Sequence, residues 1–484
     1  MSLPSVTDVP IPVFTPPVRR GWPRTAWCII GLAVLLIALV PPFLHRKKSE
    51  SVKTAPDAAQ MKSQSVTAKY LVAWYNLSGR SDPHVAQNIA AMDSGRPEQR
   101  LDVVVLTGEI SGPVAAQQQL ERLRSDWADA AQELTPEQRN VSDLLRRMYE
   151  DFEESHFDAP SLSLADRQRL QNELGWFGDL ALTPAEAPPA ERQAVLSPAY
   201  NTLGAILGIG AVLLTLLGIG CLGLLVFFVL AVMRILGGGL LRGSLHGGIY
   251  AETFALWLVL FVGISVGMSF IPVPKTWQLF LIGLGDLLSL SILAWPVLRG
   301  IPWSQVRKDL GLVRGRAGIA EPLIGFWTYV LSLPFVLAGM LITLFLIYVS
   351  RSLQGGVSPT EPGHPIQEYM TTGNSWVWLQ MLFVASVVAP IVEETMFRGV
   401  LYRQMRQVTS RWGFVPSLLL SMLVVSFVFA VIHPQGWVAV PALMAIAFAL
   451  TLTREWRVSL LPSMVQHGLH NACLVGLSYL LFTS

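Results

Sequence analysis

The chain has two textures. Residues 1–24 and 46–199 mix polar and apolar positions, and the rest is a series of long apolar runs broken by short polar loops. A run of about 20 apolar residues spans a bilayer as a helix. Nine runs match that length or approach it: 25–44, 204–232, 249–271, 277–298, 323–349, 376–397, 414–433, 437–453 and 460–482. No soluble core needs so many. The pattern predicts an all-α polytopic membrane protein with about nine transmembrane helices, eight of them in a bundle over 200–484. The run at 25–44 reads as a retained anchor. It follows a polar tail, and no small-x-small cleavage site precedes His45-Arg46-Lys47-Lys48.

The polar stretches predict a different kind of unit. Residues 1–24 form a disordered tail, Pro-rich over 1–18. Residues 46–68 read as a Lys/Ser/Gln-rich linker, and 45–199 as a mainly helical extramembrane domain. Leu-Asp-Val-Val-Val-Leu at 101–106 reads as a strand. Leu120, Leu123, Trp127 and Ala130 then fall at helical spacing. Thr135-Pro136-Glu137-Gln138 has the form of a helix start, with a capping Thr, Pro at the first position and Gln at the third. A further helix is expected from Ser163 through Trp176-Phe177, and Thr183-Pro184-Ala185-Glu186 repeats the start signal. No catalytic or metal motif appears here. His84 and His156 read as surface residues.

Composition agrees with the pattern. Hydrophobic residues make up 52% and charged residues 14%, with a mean hydropathy of +0.47; soluble domains are nearer a quarter charged. A net charge of +2 gives no basic field, so nucleic acid is excluded as a partner, and membrane lipid is implied. The cations cluster in alternate loops: Arg234 and Arg242; Arg299, Arg307, Lys308, Arg314 and Arg316; Arg398, Arg403, Arg406 and Arg411; Arg454 and Arg457. The positive-inside rule puts those loops in the cytoplasm. The amino terminus is then cytoplasmic, with residues 46–199 and the carboxyl terminus outside, across the plasma (inner) membrane if the host is bacterial. Cys28, Cys221 and Cys473 all fall in apolar runs, so no disulfide staples the polar domain.

Against this background three polar patterns stand out: Glu393-Glu394-x-x-x-Arg398, Phe429-x-x-x-His433 and His467-x-x-x-Asn471. Charged groups inside a bilayer are costly and rarely incidental. Glu394 and Arg398 share a helix face and can pair. Glu393 points about 100° away, free to act as a general base toward water. His467 and Asn471 share a face and could donate to a developing oxyanion. Alternatively Glu393, His433 and His467 form a two-His, one-acid set suited to zinc with an open position for water. His470 points away from Asn471, with an exchange of roles with His467 left open. Asp286 and Glu252 are further acids in apolar runs. Gly204, Gly208, Gly210, Gly218, Gly220 and Gly223 suggest close helix packing.

Taken together, the three patterns resemble the CAAX protease and bacteriocin-processing (CPBP) family of intramembrane endopeptidases. Phe397-Arg398-Gly399 and His433-Pro434-Gln435-Gly436 extend the likeness, which covers about 320–484. The resemblance implies a helical bundle with a water-filled cavity, in which Glu393 and His433 activate water. His467 and Asn471 would stabilise the oxyanion, and Glu394 with Arg398 would brace the site. It implies a membrane-associated or lipid-modified protein or peptide substrate, prenylated ones included. No cofactor is expected in the preferred reading, because Asn471 is a poor zinc ligand; zinc or another divalent metal is the alternative. A non-catalytic scaffold or immunity protein of the same fold, and a proton-relaying transporter, are the competing functions. Counting residues from the loop ends puts Glu393 and His433 at similar depths but His467 nearer the cytoplasmic end. A broken or tilted helix at Pro434 or Pro441 would close that gap.

Overall fold

The computed structural model describes residues 21–49, 58–80, 82–93, 97–129, 135–233, 235, 247–353, 369 and 374–483, and among them every regular element is helical. In chain order the helices are α1 (Pro23–Ser49), α2 (Ala58–Leu77), α3 (Pro83–Ala91), α4 (Pro97–Ser111), α5 (Pro113–Asp129), α6 (Pro136–Glu153), α7 (Leu164–Leu174), α8 (Trp176–Leu182), α9 (Pro189–Val232), α10 (Ile249–Ser269), α11 (Lys275–Ser289, continued as Leu290–Leu293 and Ala294–Leu298), α12 (Trp303–Leu310), α13 (Glu321–Leu353), α14 (Ser375–Trp412), α15 (Phe414–Val431), α16 (Val440–Trp456) and α17 (Leu461–Thr483). Two compact units result: a smaller one of Thr54–Leu214 with Tyr479–Ser484, and a larger one of Met1–Lys53 with Thr215–Ser478.

The smaller unit is built around α4, which touches α2, α3, α5, α6 and α8. Leu101, Val103, Val104, Val105 and Leu106 are all buried. A helix covered all round shows no amphipathic period, so its β-branched run looks like a strand; residues 101–106 are helix. The expected linker at 46–68 is also largely helix, ending α1 and opening α2, while 50–57 lie outside the described residues. Ala58, Ala59, Gln60, Met61 and Lys62 are strong helix formers, and α2 goes on to bury Ala68, Leu71 and Val72. The tail at 1–20 also lies outside the described residues.

Helix boundaries follow local chemistry. The Thr135 hydroxyl accepts from Gln138 N at 3.2 Å, and Gln138 Oε1 accepts from Thr135 N at 3.0 Å, closing the expected capping box. Ser163 and Asp166 form a second one. The helix from Ser163 was expected to run through Trp176, but it stops at Gly175, whose φ of 56° suits glycine. Thr183-Pro184-Ala185-Glu186 starts no helix. Pro188 precedes Pro189 and is thereby driven from helical backbone, so α9 begins at Pro189. Arg192 forms a buried ion pair with Glu109 and donates to Thr183 O at 2.5 Å. Burial pushes the Glu109 carboxyl above its ordinary range against the pull of Arg192.

The larger unit is an all-α polytopic membrane domain. Among the described residues seven helices are long and apolar enough to cross a membrane: Pro189–Val232, Ile249–Ser269, Thr276–Leu298, Gly318–Ser350, Ser375–Trp412, Phe414–Val431 and Trp437–Trp456. The other two expected spans fall short for identifiable reasons. The described apolar part of α1 is only Pro23–Ile37. In α17 Gln466, His467, His470 and Asn471 lower the hydropathy, so the polar candidates themselves mask their helix. Of the six glycines, Gly220 and Gly223 pack closely on Val330, Leu331 and Pro334; a Cβ at Gly204, Gly208, Gly210 or Gly218 would meet nothing within 4 Å among the described residues.

One end of the bundle carries a layer of buried polar contacts. Asp309 accepts from Tyr250 at 2.8 Å, Gln305 at 2.9 Å and Arg403 at 3.3 Å. Glu455 accepts from Tyr402 at 2.7 Å and Arg406 at 2.9 Å, and Arg406 also donates to Ser417 at 2.6 Å. Glu321 pairs with Arg457 at 2.5 Å. These contacts lock α12, α14, α15 and α16 in register, which fixes the height of everything above them.

Candidate active site

Glu393 and Glu394 lie in α14 where its geometry changes. The helix is π-wound over Val384–Val388, α-wound over Ala389–Glu393, and π-wound again over Glu394–Leu401. Such widened turns recur at functional sites because they re-aim side chains. The two acids part at the second junction. Glu394 is fully buried, and its Oε1 accepts from Arg398 Nη1 at 3.0 Å and from His467 Nδ1 at 3.0 Å. Arg398, also fully buried, donates as well to Ala447 O at 3.1 Å.

Glu393 is partly open. Its Oε2 lies 3.8 Å from His433 Nε2 and 3.8 Å from His467 Nε2, too far for direct hydrogen bonds. The same Oε2 is itself shielded and has no hydrogen-bond partner among the described residues. Both imidazoles are oriented from behind. His433 Nδ1 lies 2.5 Å from Phe429 O, and His467 Nδ1 faces Glu394. Carbonyl and carboxylate oxygens only accept, so each Nδ1 carries the proton, and each Nε2 offers a lone pair in the neutral ring.

Residues 374–473 match the family of Rce1-like type II CAAX prenyl endopeptidases. No curated protein and no solved structure matches the chain. The match agrees with the CPBP resemblance read from the motifs, over a shorter stretch than 320–484. Every motif residue lies inside the Rce1-like segment.

Within this segment direct contacts close the gap in depth that counting residues leaves: His467 Nδ1 lies 3.0 Å from Glu394 Oε1, and His433 Nε2 and His467 Nε2 each lie 3.8 Å from Glu393 Oε2. The chain does leave its helix around His433, since α15 ends at Val431 and α16 begins at Val440.

Two further features complete the site. Phe429 is its apolar hub: the Arg398 guanidinium lies 4.5 Å above its ring, and its centroid is 5.1 Å from Phe397, 4.3 Å from His433 and 6.0 Å from His467. In the sequence only the i, i+4 spacing of Phe429 to His433 signals this role. Gly468 lies against the Ser386 carbonyl, where a Cβ would collide, and so lets α17 approach α14. Asn471 then donates to Ala385 O at 2.7 Å. His470 packs edge-on to Tyr329 at 6.2 Å, so His467 is the imidazole beside both glutamates.

Proposed function

We propose that the protein is an intramembrane endopeptidase that hydrolyses a peptide bond in a membrane-associated or lipid-modified protein. The observation that carries this is the buried, unpartnered Oε2 of Glu393, flanked at 3.8 Å by the Nε2 atoms of His433 and His467. A bridging water suits that separation. Glu393 takes one of its protons while His433 Nε2 accepts a hydrogen bond from the other. As the new C–O bond forms, the carbonyl electron pair moves to oxygen. When the C–N bond breaks, the proton on Glu393 passes to the amine. Asn471 Nδ2 has two hydrogens, one engaged by Ala385 O, and the other suits the oxyanion. His467 would donate there only as an imidazolium, because Nδ1–H already faces Glu394. Glu394 and Arg398 brace the site.

A metal-assisted variant is the second reading, favoured by the shared tautomer of His433 and His467. A hydrogen-bonded Nδ1 with Nε2 free is the usual state of a zinc-ligating histidine. The donor set of Glu393, His433 and His467 fits zinc chemically, although among the described residues no three such side chains close into a metal-sized cluster. A bound divalent ion would supply hydroxide from its water at neutral pH. Elemental analysis with chelator treatment decides: stoichiometric metal lost together with activity replaces the metal-free scheme.

For topology we infer a cytoplasmic amino terminus, with 46–199 and the carboxyl terminus outside; an inactive alkaline-phosphatase fusion at the carboxyl terminus reverses it. For function, purified protein should cleave a membrane-embedded or prenylated peptide, and Glu393→Ala and His433→Ala should each abolish cleavage. Undiminished cleavage by Glu393→Ala would falsify the mechanism. No cleavage of any such peptide by the unaltered protein leaves the scaffold reading in its place.

A further inference from the structure

Two acids in the membrane helices outside the motifs have opposite surroundings. Glu252 on α10 is fully buried and fully engaged, accepting from Trp22 N at 2.7 Å and Trp295 Nε1 at 3.1 Å and pairing with Arg299 at 3.4 Å. Asp286 on α11 is half-buried, and among the described residues no Lys, Arg or His is paired with it.

The register of α11 on α14 sets where Asp286 stands. Gln380 Oε1 accepts from Phe280 N at 3.1 Å, and its Nε2 donates to Thr276 O at 2.6 Å. Gly283 then packs against Val384 and Val388. The two helices therefore run parallel, and the next turn of the same face carries Asp286 up to Glu393, within electrostatic reach of its carboxylate. The nearest cation of the motifs, Arg398, is already held by Glu394.

A carboxylate without a cation is costly inside a membrane. It is retained where water or a cation reaches it from outside the chain. We propose that Asp286 is a specificity-determining residue of the endopeptidase site, selecting substrate segments that bring a Lys or Arg side chain beside the scissile bond. The proposal rests on the endopeptidase reading above. A long basic side chain buries its stem along apolar surface and presents its charge at the tip, which suits a wall of apolar helix carrying one carboxylate. An acidic side chain at the same place meets both Asp286 and Glu393 and is rejected, so repulsion adds to the discrimination.

The test uses the full-length protein in lipid vesicles and membrane-spanning peptides that differ only by Lys, Gln or Glu, scanned through the positions flanking the cleaved bond. At the best position kcat/KM should favour Lys over Gln by about tenfold, the ratio set by about 1.4 kcal/mol from one charge-assisted contact. Glu should be the poorest. Asp286→Asn should flatten the series, Asp286→Glu should restore it, and Asp286→Lys should turn the preference toward Glu. A series without charge preference, or one unchanged in Asp286→Asn, overturns the proposal. Peptide binding to the Glu393→Gln protein, followed by fluorescence anisotropy, separates the two ideas. The same Lys, Gln, Glu order in binding with no cleavage by the unaltered protein removes the endopeptidase reading and leaves Asp286 as a recognition residue. Binding without that order removes the role of Asp286.

Discussion

Two stretches of α14 treat charge in opposite ways. Near Arg403 and Arg406 the acids Asp309 and Glu455 each accept two or more hydrogen bonds from side chains on other helices. A few turns back, Glu393 offers an oxygen with no hydrogen-bond partner among the described residues. Both regions lie in the same apolar bundle, where an unmet polar atom costs free energy. The first is therefore a brace, since its groups answer one another and fix the register of four helices. At the second, His433 and His467 are held from behind, and their free nitrogens aim at one oxygen. Adjacent residues repeat the contrast: Glu394 Oε1 holds Arg398 and His467, whereas Glu393 is partly open and makes no contact shorter than 3.8 Å with either imidazole.

The sharpest way to break this comparison is to neutralise one acid from each region. Glu393→Gln should lower kcat by about 10²–10⁴-fold, the usual contribution of a positioned general base, with the melting temperature in detergent unchanged or raised. Loss of fold in that variant would make Glu393 a structural acid like its counterpart. Glu455→Ala should do the reverse. It leaves Arg406 buried and uncompensated, at a cost of about 3–5 kcal/mol, while the protein that remains folded keeps its turnover per molecule. Measuring kcat against the folded fraction distinguishes the two outcomes.

The smaller unit carries a third version of the same physics, built on Glu109, which lies outside every candidate span. Glu109 and Arg192 are buried together. Arg192→Ala should cost about 3 kcal/mol at neutral pH, since it strands the carboxylate. The pH dependence has a definite sign. Burial already pushes the Glu109 carboxyl up, and losing Arg192 pushes it further. A group with a raised native pKa stabilises below the ordinary carboxylate range and loses that contribution as pH rises through its native value. The deficit of Arg192→Ala should therefore be small near pH 4 and full near pH 7 by thermal denaturation. A deficit independent of pH would mean that lost packing by the guanidinium stem is the cause.

Much of this contrast was legible before any coordinates. The Glu394–Arg398 pair follows from i, i+4 spacing, and the long apolar runs followed from hydropathy. What the sequence hid has specific causes. The run at 101–106 looks like a strand because burial on all sides erases helical periodicity. Helix α17 fails a hydropathy test because its own candidate residues are polar. The depth of His467 could not be counted from loop ends, since its contact with Glu394 joins positions far apart in sequence. The π-wound turns at Val384–Val388 and Glu394–Leu401 leave no mark in the residue pattern.

The smallest expected effect tests where local sequence suffices. Thr135 closes a reciprocal capping box with Gln138 at an exposed helix start. Such a cap satisfies backbone N–H groups that α6 cannot satisfy internally. Thr135→Ala should destabilise the smaller unit by about 1 kcal/mol, seen as a lowered melting temperature with cleavage unaltered. Thr135→Ser keeps the accepting oxygen and should stay close to the original stability. If both variants lose equally, the threonine methyl and not its hydroxyl is what the helix start uses. The capping box would then be a coincidence of spacing, unlike the acids of α14, whose partners are fixed by the fold.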